Sequence, residues 1–157
     1  MIRHPIDPVF DENSEILILG SFPSVKSREQ GFFYGHPQNR FWRVLAALFS
    51  CSVPVSTEEK KQFLIENHVA VWDVIAACDI EGSMDNTIRN VIPNDLTGIL
   101  ENSAIKRLFV NGKTAKNLYD RYIYPKNGIE AIVLPSTSPA NAAWNLERLL
   151  DAWSIIK

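Results

Sequence analysis

The sequence predicts an α/β fold, a three-layer sandwich in which helices flank a central, mainly parallel sheet of about four strands. Short apolar runs alternate along the chain with segments of helical periodicity, the order that parallel sheets require. The runs are almost continuously apolar, which indicates strands buried on both faces. Each run ends in turn chemistry, and the four predicted strands are Glu15–Leu19, Val69–Val74, Arg107–Asn111 and Glu130–Leu134.

The segments between these strands carry helical patterns. One apolar face repeats at i, i+3, i+4 and i+7 through Phe41, Val44, Leu45 and Leu48. A second helix begins at Thr57, with Ser56 or Thr57 as its N-cap. Two more are predicted over Thr114–Tyr122 and Asn141–Trp153.

Length and composition indicate an ordinary globular protein. A chain of 157 residues predicts one domain, residues 1–157, with a core that needs neither disulfides nor metals. Hydrophobic residues make up 46% and charged residues 22%. No apolar run is long enough to span a bilayer, and no signal peptide is visible at the N-terminus. We therefore expect no membrane partner, and a location in the cytoplasm or nucleoid.

The charge distribution says little about partners. A net charge of −2 argues mildly against a protein that coats nucleic acid, because such binding depends on neutralising phosphates. Positive charge is concentrated locally at Lys26, Arg28, Arg40 and Arg43. On charge alone, a solvent-exposed helix face is favoured for these four side chains.

The two cysteines, Cys51 and Cys78, lie in different segments, and the chain has no C-x-x-C pair. A zinc ribbon or an iron–sulfur cluster is therefore excluded, and we expect no metal site. Both cysteines are predicted to be reduced core thiols.

Ligands of open α/β sheets bind at the carboxyl ends of the strands, so the loops after residues 19, 74, 110 and 134 are the candidate site. The first of these loops reads Gly20-Ser21-Phe22-Pro23-Ser24. Its amide N–H groups could face a base edge or an oxyanion. A simple turn at the end of a strand explains the same string equally well.

The string Tyr34-Gly35-His36-Pro37-Gln38-Asn39-Arg40-Phe41-Trp42 leads into the first long helix. Asn39 could cap that helix, or its carboxamide could hold a water against a reaction centre. Tyr34 could belong to the core or provide a ring on which a base stacks. His36 is interpreted as a packing residue.

The string Asn111-Gly112-Lys113-Thr114 resembles the end of a P-loop, but position 107 is Arg where that motif needs glycine. Binding of nucleoside triphosphates is therefore rejected. Asn111 could read a base from the end of its strand, or it could be a turn residue with positive φ.

The loop Pro135–Asn141 follows the last predicted strand and leads into the last predicted helix. Small hydroxyl residues there could approach phosphates, which helix N-termini attract, or Asn141 could simply cap the helix. A further polar cluster lies near the second strand, where Asp85 is interpreted as a structural cap; its members are Asp73, Ser83, Asp85 and Asn86.

Taken together, these strings resemble the uracil-DNA glycosylase superfamily. The shared segments are Gly20–Ser24, Gly31–Trp42, Trp72–Val74 and Leu134–Ser136, and the resemblance extends from about residue 14 to the end. Mismatch-specific uracil-DNA glycosylases carry asparagine where this chain has Phe22. The loops Gly20–Ser24 and Leu134–Ala140, together with Asn39, are most similar to the hypoxanthine-DNA glycosylase branch. That branch removes deaminated adenine from DNA.

The resemblance implies a monofunctional, cofactor-free enzyme, expected to be a monomer, that flips a deaminated base out of DNA and hydrolyses its N-glycosidic bond. In that branch the catalytic asparagine corresponds to Asn39. The implied base-binding residues are Gly20, Ser21, Phe22, Pro23, Tyr34 and Asn111. The implied DNA-binding residues are Ser136, Thr137, Ser138, Pro139, Ala140 and Asn141, where relatives carry a Leu-Ser-Arg type of wedge.

Three other interpretations remain at this point. A uracil or xanthine glycosylase would use the same scaffold. A noncatalytic module would bind damaged duplex without releasing a base, and a small-molecule hydrolase or ligand-binding protein would not need DNA. Loss of DNA affinity with rising salt separates the first two from the third.

Overall fold

The computed structural model describes all 157 residues, Met1–Lys157. Its strands, in chain order, are β1 (Ile2–Arg3), β2 (Ile16–Gly20), β3 (Val69–Asp73), β4 (Ile75–Asp79), β5 (Arg89–Pro93), β6 (Arg107–Asn111) and β7 (Ala131–Leu134). Its helices are α1 (Val25–Gln30), α2 (Phe41–Leu48), α3 (Thr57–Glu66), α4 (Thr97–Glu101), α5 (Lys113–Tyr122), α6 (Tyr124–Asn127) and α7 (Leu146–Trp153). Short 3-10 turns cover Asp85–Thr87 and Ser154–Ile156.

The central sheet has four parallel strands in the order β3-β2-β6-β7, which confirms the predicted fold class. Each strand lies within one residue of its predicted bounds at either end. Strand β2 is buried throughout, with its side chains alternating between two cores. Ile16 and Ile18 pack with α2, α3 and α7, whereas Leu17 and Leu19 pack with α4 and α5. Burial on both faces is the reason for the continuous apolar pattern.

A second, antiparallel sheet, β1-β4-β5, was not predicted. Strand β1 has two residues, and β5 is largely exposed, so neither carries a strong apolar signal. Strand β4 follows β3 after a single residue, Val74, which hides the break between them. The backbone N–H groups of Val74 and Ile75 donate to the carbonyls of Gly20 and Ser21, so this bend is fixed beside the end of β2.

The last helix begins later than predicted. Helix α7 starts at Leu146, and its N-cap is Asn145, whose side chain accepts from the backbone N–H of Arg148 at 2.8 Å. The expectation that Asn141 begins or caps this helix is therefore wrong. The Arg40 guanidinium donates to backbone carbonyls of residues 138, 141 and 144, and this contact holds the segment in a loop.

Three further features bear on the sequence predictions. Cys78 is a buried free thiol as expected, but Cys51 is exposed, so its assignment to the core is wrong. Ser56 caps α3 in a reciprocal capping box with Glu59. No helix has the length and apolarity needed to cross a membrane.

Candidate active site

A cavity of about 300 Å³ lies at the carboxyl ends of the parallel strands. The register places Gly20 of β2 beside Asp73 of β3, and Asn111 of β6 beside Leu134 of β7. All of the predicted site residues line this cavity except Asn141. Loops that are far apart in the sequence converge here, so the edge predicted from strand topology carries the candidate site.

The first loop forms one wall of the cavity. Ser24 caps α1 by accepting from the backbone N–H of Ser27 at 3.1 Å, and this fixes the end of the loop. Phe22 is 8% exposed. Its ring packs in a T-shaped arrangement with the His4 ring, with the two centroids 5.9 Å apart. The loop is therefore both a turn and a binding surface. The backbone N–H groups of Ser21 and Phe22 have no protein acceptor.

Tyr34 combines the two roles considered for it. Its ring stacks on Phe41 with centroids 3.9 Å apart, and it also lines the cavity. The residue adopts a φ of 52°, in the left-handed region that non-glycine residues seldom occupy. Its hydroxyl is buried and has no hydrogen-bond partner in the protein, although the side chain of Asn111 lies near it. Burial and the negative charge of Asp73 raise the pKa of this phenol, so it stays protonated.

Asn39 has its carboxamide fixed by a chain of hydrogen bonds. Its Oδ1 accepts from the backbone N–H of Phe41 at 2.9 Å and from the Thr137 hydroxyl at 2.8 Å. The Thr137 hydroxyl in turn accepts from Nδ2 of Asn111 at 3.0 Å. Because both neighbours are donors, Oδ1 is the atom that faces them. The N-cap of α2 is Arg40 rather than Asn39, although Asn39 accepts from the first N–H of the helix. The other end of the carboxamide, Nδ2, has no protein partner, so both of its N–H groups are free.

Asn111 contacts Thr137 with both ends of its carboxamide. Its Oδ1 accepts from the Thr137 backbone N–H at 3.1 Å, in addition to the bond made by Nδ2. The positive-φ turn considered for Asn111 is wrong, because it is Gly112 that has a positive φ, of 99°. Asn111 therefore joins β6 to the loop after β7, with one Nδ2 hydrogen left over.

The loop Ser136–Asn141 is held rigid from within and from α2. Asn141 donates from Nδ2 to the carbonyl of Ser136 at 3.0 Å, which explains why its side chain turns away from the cavity. Arg40 donates from its backbone N–H to Thr137 and from its guanidinium to the carbonyls of Thr137, Ser138, Asn141 and Trp144. Arg40 is half-buried, so the expectation of a solvent-exposed helix face is wrong for it.

Asp73 was placed in a polar cluster from the sequence, but its partner His4 was not recognised as a site residue. His4 Nε2 lies 2.7 Å from Oδ2 of Asp73, and both side chains are about 95% buried. The backbone N–H of Ile6 donates to Nδ1 of His4, so Nε2 carries the proton and donates to the carboxylate. The two residues are 69 positions apart, and no local pattern joins them.

Asp85 lines the cavity, and its interpretation as a helix cap is wrong. Met84 is the N-cap of the 3-10 turn and makes no side-chain cap, while the Asp85 carboxylate accepts from the Ser21 hydroxyl at 3.3 Å. The residue is exposed to solvent by surface area, yet neighbouring groups of the concave wall surround its carboxyl. That enclosure raises the pKa of the carboxyl above its usual range, and the charge of Asp73 adds to the effect.

The lining of the cavity carries hydrogen-bonding groups. No three His, Cys, Asp or Glu side chains cluster in a way that could hold a metal ion. Its polar groups are amides, hydroxyls and carboxylates around a floor formed by strand ends. Such a lining can hydrogen-bond the edge of a planar heterocycle.

Comparisons with known proteins identify the family. The model of the uracil DNA glycosylase superfamily matches residues 8–157. A "Hypoxanthine DNA glycosylase" of Methanosarcina acetivorans is 38% identical over 150 residues, which cover 94% of each chain. A protein of the same name from Methanosarcina barkeri is 35% identical over 144 residues, which cover 90% of this chain and 89% of the relative.

A solved structure gives the same result. The solution NMR structure of a Methanosarcina acetivorans protein described as a candidate uracil DNA glycosylase matches with a TM-score of 0.83 and 35% identity. The match covers 99% of this chain and 96% of that protein. The fold, the cavity at the strand ends and these relatives agree, and the chain belongs to the uracil DNA glycosylase superfamily.

Proposed function

We propose that this protein is a monofunctional DNA glycosylase that hydrolyses the N-glycosidic bond of deoxyinosine and leaves an abasic site. Two relatives that match nearly the whole chain carry the name hypoxanthine DNA glycosylase, which supports this assignment. The cavity is enclosed by four loops, so a base inside a duplex is out of reach and the nucleotide must rotate out. Unstacking is least costly for a mispaired base such as hypoxanthine.

The observation that carries the proposal is the fixed carboxamide of Asn39 at the cavity wall. Its Oδ1 already accepts two hydrogen bonds, so the group that remains is the Nδ2 donor. This donor would hold the oxygen of the attacking water close to the anomeric carbon. An amide takes up no proton, and an oxocarbenium-like transition state needs positioning rather than a strong base.

Hydrolysis exchanges one bond to C1′ for another. The bond between C1′ and N9 breaks and its electron pair leaves with the base. The water oxygen bonds to C1′ and releases its proton to solvent. The N–H groups of Ser21 and Phe22, which have no protein acceptor, are oriented at the end of β2 where they would stabilise the departing anion.

The Ser136–Asn141 loop is the proposed contact with the DNA backbone. Its hydroxyls are close to the cavity, and its shape is fixed by Arg40, so binding would need little ordering of the loop. We propose that the protein acts as a monomer. Analytical ultracentrifugation without DNA tests this, and a mass near 17.8 kDa would indicate a monomer.

Replacement of Asn39 tests the proposal most directly. We expect Asn39→Ala to lower single-turnover release of hypoxanthine by about 100-fold or more, the usual effect of losing one transition-state donor. Asn39→Asp keeps an acceptor for Phe41 and Thr137 but removes the free donor, so it should be equally impaired. The measurement is base release from labelled duplexes carrying deoxyinosine, deoxyuridine or deoxyxanthosine, scored after alkali.

The matched control is Asn13→Ala, which removes an exposed carboxamide outside the cavity. Normal release by Asn39→Ala would contradict the role of Asn39. Release of uracil alone by the wild-type protein would keep the reaction and overturn the substrate. Tight duplex binding without any release would favour the noncatalytic module.

A further inference from the structure

Two polar atoms on the floor of the cavity lack protein partners, and they are of opposite kind. The Tyr34 hydroxyl is a buried donor with nothing to donate to. Oδ1 of Asp73 accepts no hydrogen bond, because His4 binds only Oδ2. Buried polar groups are paired in the great majority of native structures, so the Tyr34 hydroxyl, with an unbonded carboxylate oxygen beside it, calls for an explanation.

Both atoms flank one point, at Gly20. A Cβ at position 20 would collide with Oδ1 of Asp73 and would lie 3.1 Å from the Tyr34 hydroxyl oxygen. The φ of Gly20 is not positive, so the backbone alone does not call for glycine there. The small residue instead leaves space between a donor and an acceptor. Tyr34 and Asp73 both line the cavity. The Tyr34 hydroxyl is closed to solvent in the free protein, so a planar ligand would reach it by entering the space beside Gly20.

We propose that the Tyr34 hydroxyl and Oδ1 of Asp73 form a donor–acceptor pair that selects the lactam edge of hypoxanthine and rejects adenine; the inference rests on the proposed function. The lactam presents a C6 carbonyl oxygen, which accepts, beside an N1–H, which donates. Tyr34 donates to the oxygen, and Asp73 accepts from N1–H. Adenine presents an unprotonated N1, which opposes the Asp73 carboxylate acceptor to acceptor, and its amino group leaves the Tyr34 O–H with nothing to donate to.

The state of each group supports these directions. Burial and the charge of Asp73 raise the pKa of Tyr34, so the phenol remains a donor at physiological pH. His4 has Nδ1 occupied by the backbone N–H of Ile6, so its Nε2–H always faces Asp73. His4 is therefore a positioning residue that orients the carboxylate with Oδ1 toward the cavity.

This donor–acceptor pair distinguishes hypoxanthine from adenine. A glycosylase for deaminated adenine meets unmodified adenine in large excess, and the two bases differ only at this edge. A site that hydrogen-bonds one pattern rejects the reversed pattern strongly, because its own buried groups would be left unpaired. Uracil shares the lactam pattern, so the pair defines the class of oxo bases rather than hypoxanthine alone.

The sharpest test is Asp73→Asn. The fixed Nε2–H of His4 needs an acceptor, so the new carboxamide turns its oxygen to His4 and its NH₂ to the cavity. The acceptor on the floor thus becomes a donor, which opposes N1–H of hypoxanthine and suits N1 of adenine. We expect release of hypoxanthine to fall by about 100-fold or more.

Binding separates recognition from chemistry. The probes are duplexes with 2′-fluoro-deoxyinosine or 2′-fluoro-deoxyadenosine, whose glycosidic bonds resist hydrolysis, each opposite an abasic-site analogue so that neither base is paired. The wild-type protein should prefer the inosine probe, and Asp73→Asn should lose or reverse that preference. Asp7→Asn, at an exposed carboxylate outside the cavity, should keep the wild-type ratio.

Tyr34→Phe keeps the test decisive if Asp73→Asn does not fold. It removes only the unpaired hydroxyl and should weaken binding of the inosine probe by about tenfold. It should not weaken a 2′-fluoro-nebularine probe, whose purine has neither the oxygen nor the N1–H. Tyr124→Phe, at a half-exposed phenol, is the control.

The outcomes separate this inference from the function on which it rests. If the wild-type protein releases hypoxanthine and both variants retain its inosine-to-adenine binding ratio within twofold, the inference is wrong and the proposed function stands. If the wild-type protein releases no base from any duplex, the proposed function fails as well.

Discussion

The two polar walls of the cavity are built in opposite ways. Around Asn39, Asn111 and Thr137 the carboxamide oxygens and the hydroxyl are bonded within the protein. Around Gly20, a buried hydroxyl of Tyr34 and a carboxylate oxygen of Asp73 are left without partners. The acceptors of the first wall are paired within the protein, and we propose that a ligand pairs the free groups of the second. Positioning a water needs rigidity, whereas reading a base needs free hydrogen-bonding groups.

The largest effect on stability is expected when the complete wall is broken at its centre. Thr137 is fully buried, and Thr137→Val keeps its shape while removing the hydroxyl that joins Asn39 to Asn111. One buried donor of Asn111 is then unpaired, which should lower the free energy of unfolding by about 2 kcal/mol. Hypoxanthine release should fall by about tenfold, because Asn39 is less well held.

Chemical denaturation and single-turnover kinetics of the same preparation measure both quantities. Thr137→Ser retains the hydroxyl and should recover most of the activity. Wild-type stability in Thr137→Val would mean that the hydrogen-bond chain through this hydroxyl does not hold the wall together.

An effect of opposite sign is expected from the open wall. Tyr34→Phe deletes a buried hydroxyl that has no partner, so the free protein should gain about 1 kcal/mol in its free energy of unfolding. Denaturation in the absence of DNA measures this gain. A loss of stability would show that Tyr34 has a partner in the free protein, and the contrast between the walls would disappear.

The smallest effect concerns Asp85 at the edge of the open wall. The folded protein raises the pKa of this carboxyl, through its enclosure and through Asp73, so the folded state holds the proton more tightly than the unfolded chain. The stabilisation is present at pH below the unfolded pKa and is lost as pH rises through the folded pKa. Asp85→Asn should therefore be more stable than wild type at neutral pH, by no more than about 0.5 kcal/mol because solvent screens this exposed side chain, and no more stable in acid.

Denaturation at several pH values between acid and neutral measures the difference. Asp7→Asn should show no such trend, because Asp7 is exposed and lies outside the cavity. A pH-independent difference between Asp85→Asn and wild type would contradict the assigned cause.

Much of the fold could be predicted because its signals are local. Strands β2, β3, β6 and β7 are short apolar runs bounded by turns, and α2 shows its apolar face in four residues. The antiparallel sheet could not be predicted, because β1 is two residues long and Val74 hides the end of β3. The start of α7 was misplaced because a distant side chain, Arg40, decides which carbonyls are free.

The site divides in the same way. The sequence was sufficient to predict that Asn39, Tyr34, Asn111 and most of the last loop lie at one edge of the sheet. The reason is that the carboxyl ends of parallel strands meet at that edge. His4 was missed since its contact with Asp73 joins residues 69 positions apart. The direction in which the Asn39 carboxamide points depends on Thr137, and no sequence pattern states it.

The contacts of Arg40 have a consequence for protein engineering. One side chain at the start of α2 holds the backbone of the last loop at several carbonyls, immediately after the proposed catalytic residue. The shape of the loop is therefore encoded almost a hundred positions upstream of the loop itself. Grafting residues 136–141 onto a related scaffold would transfer the sequence of the loop without its conformation. The loop and Arg40 would have to be exchanged together.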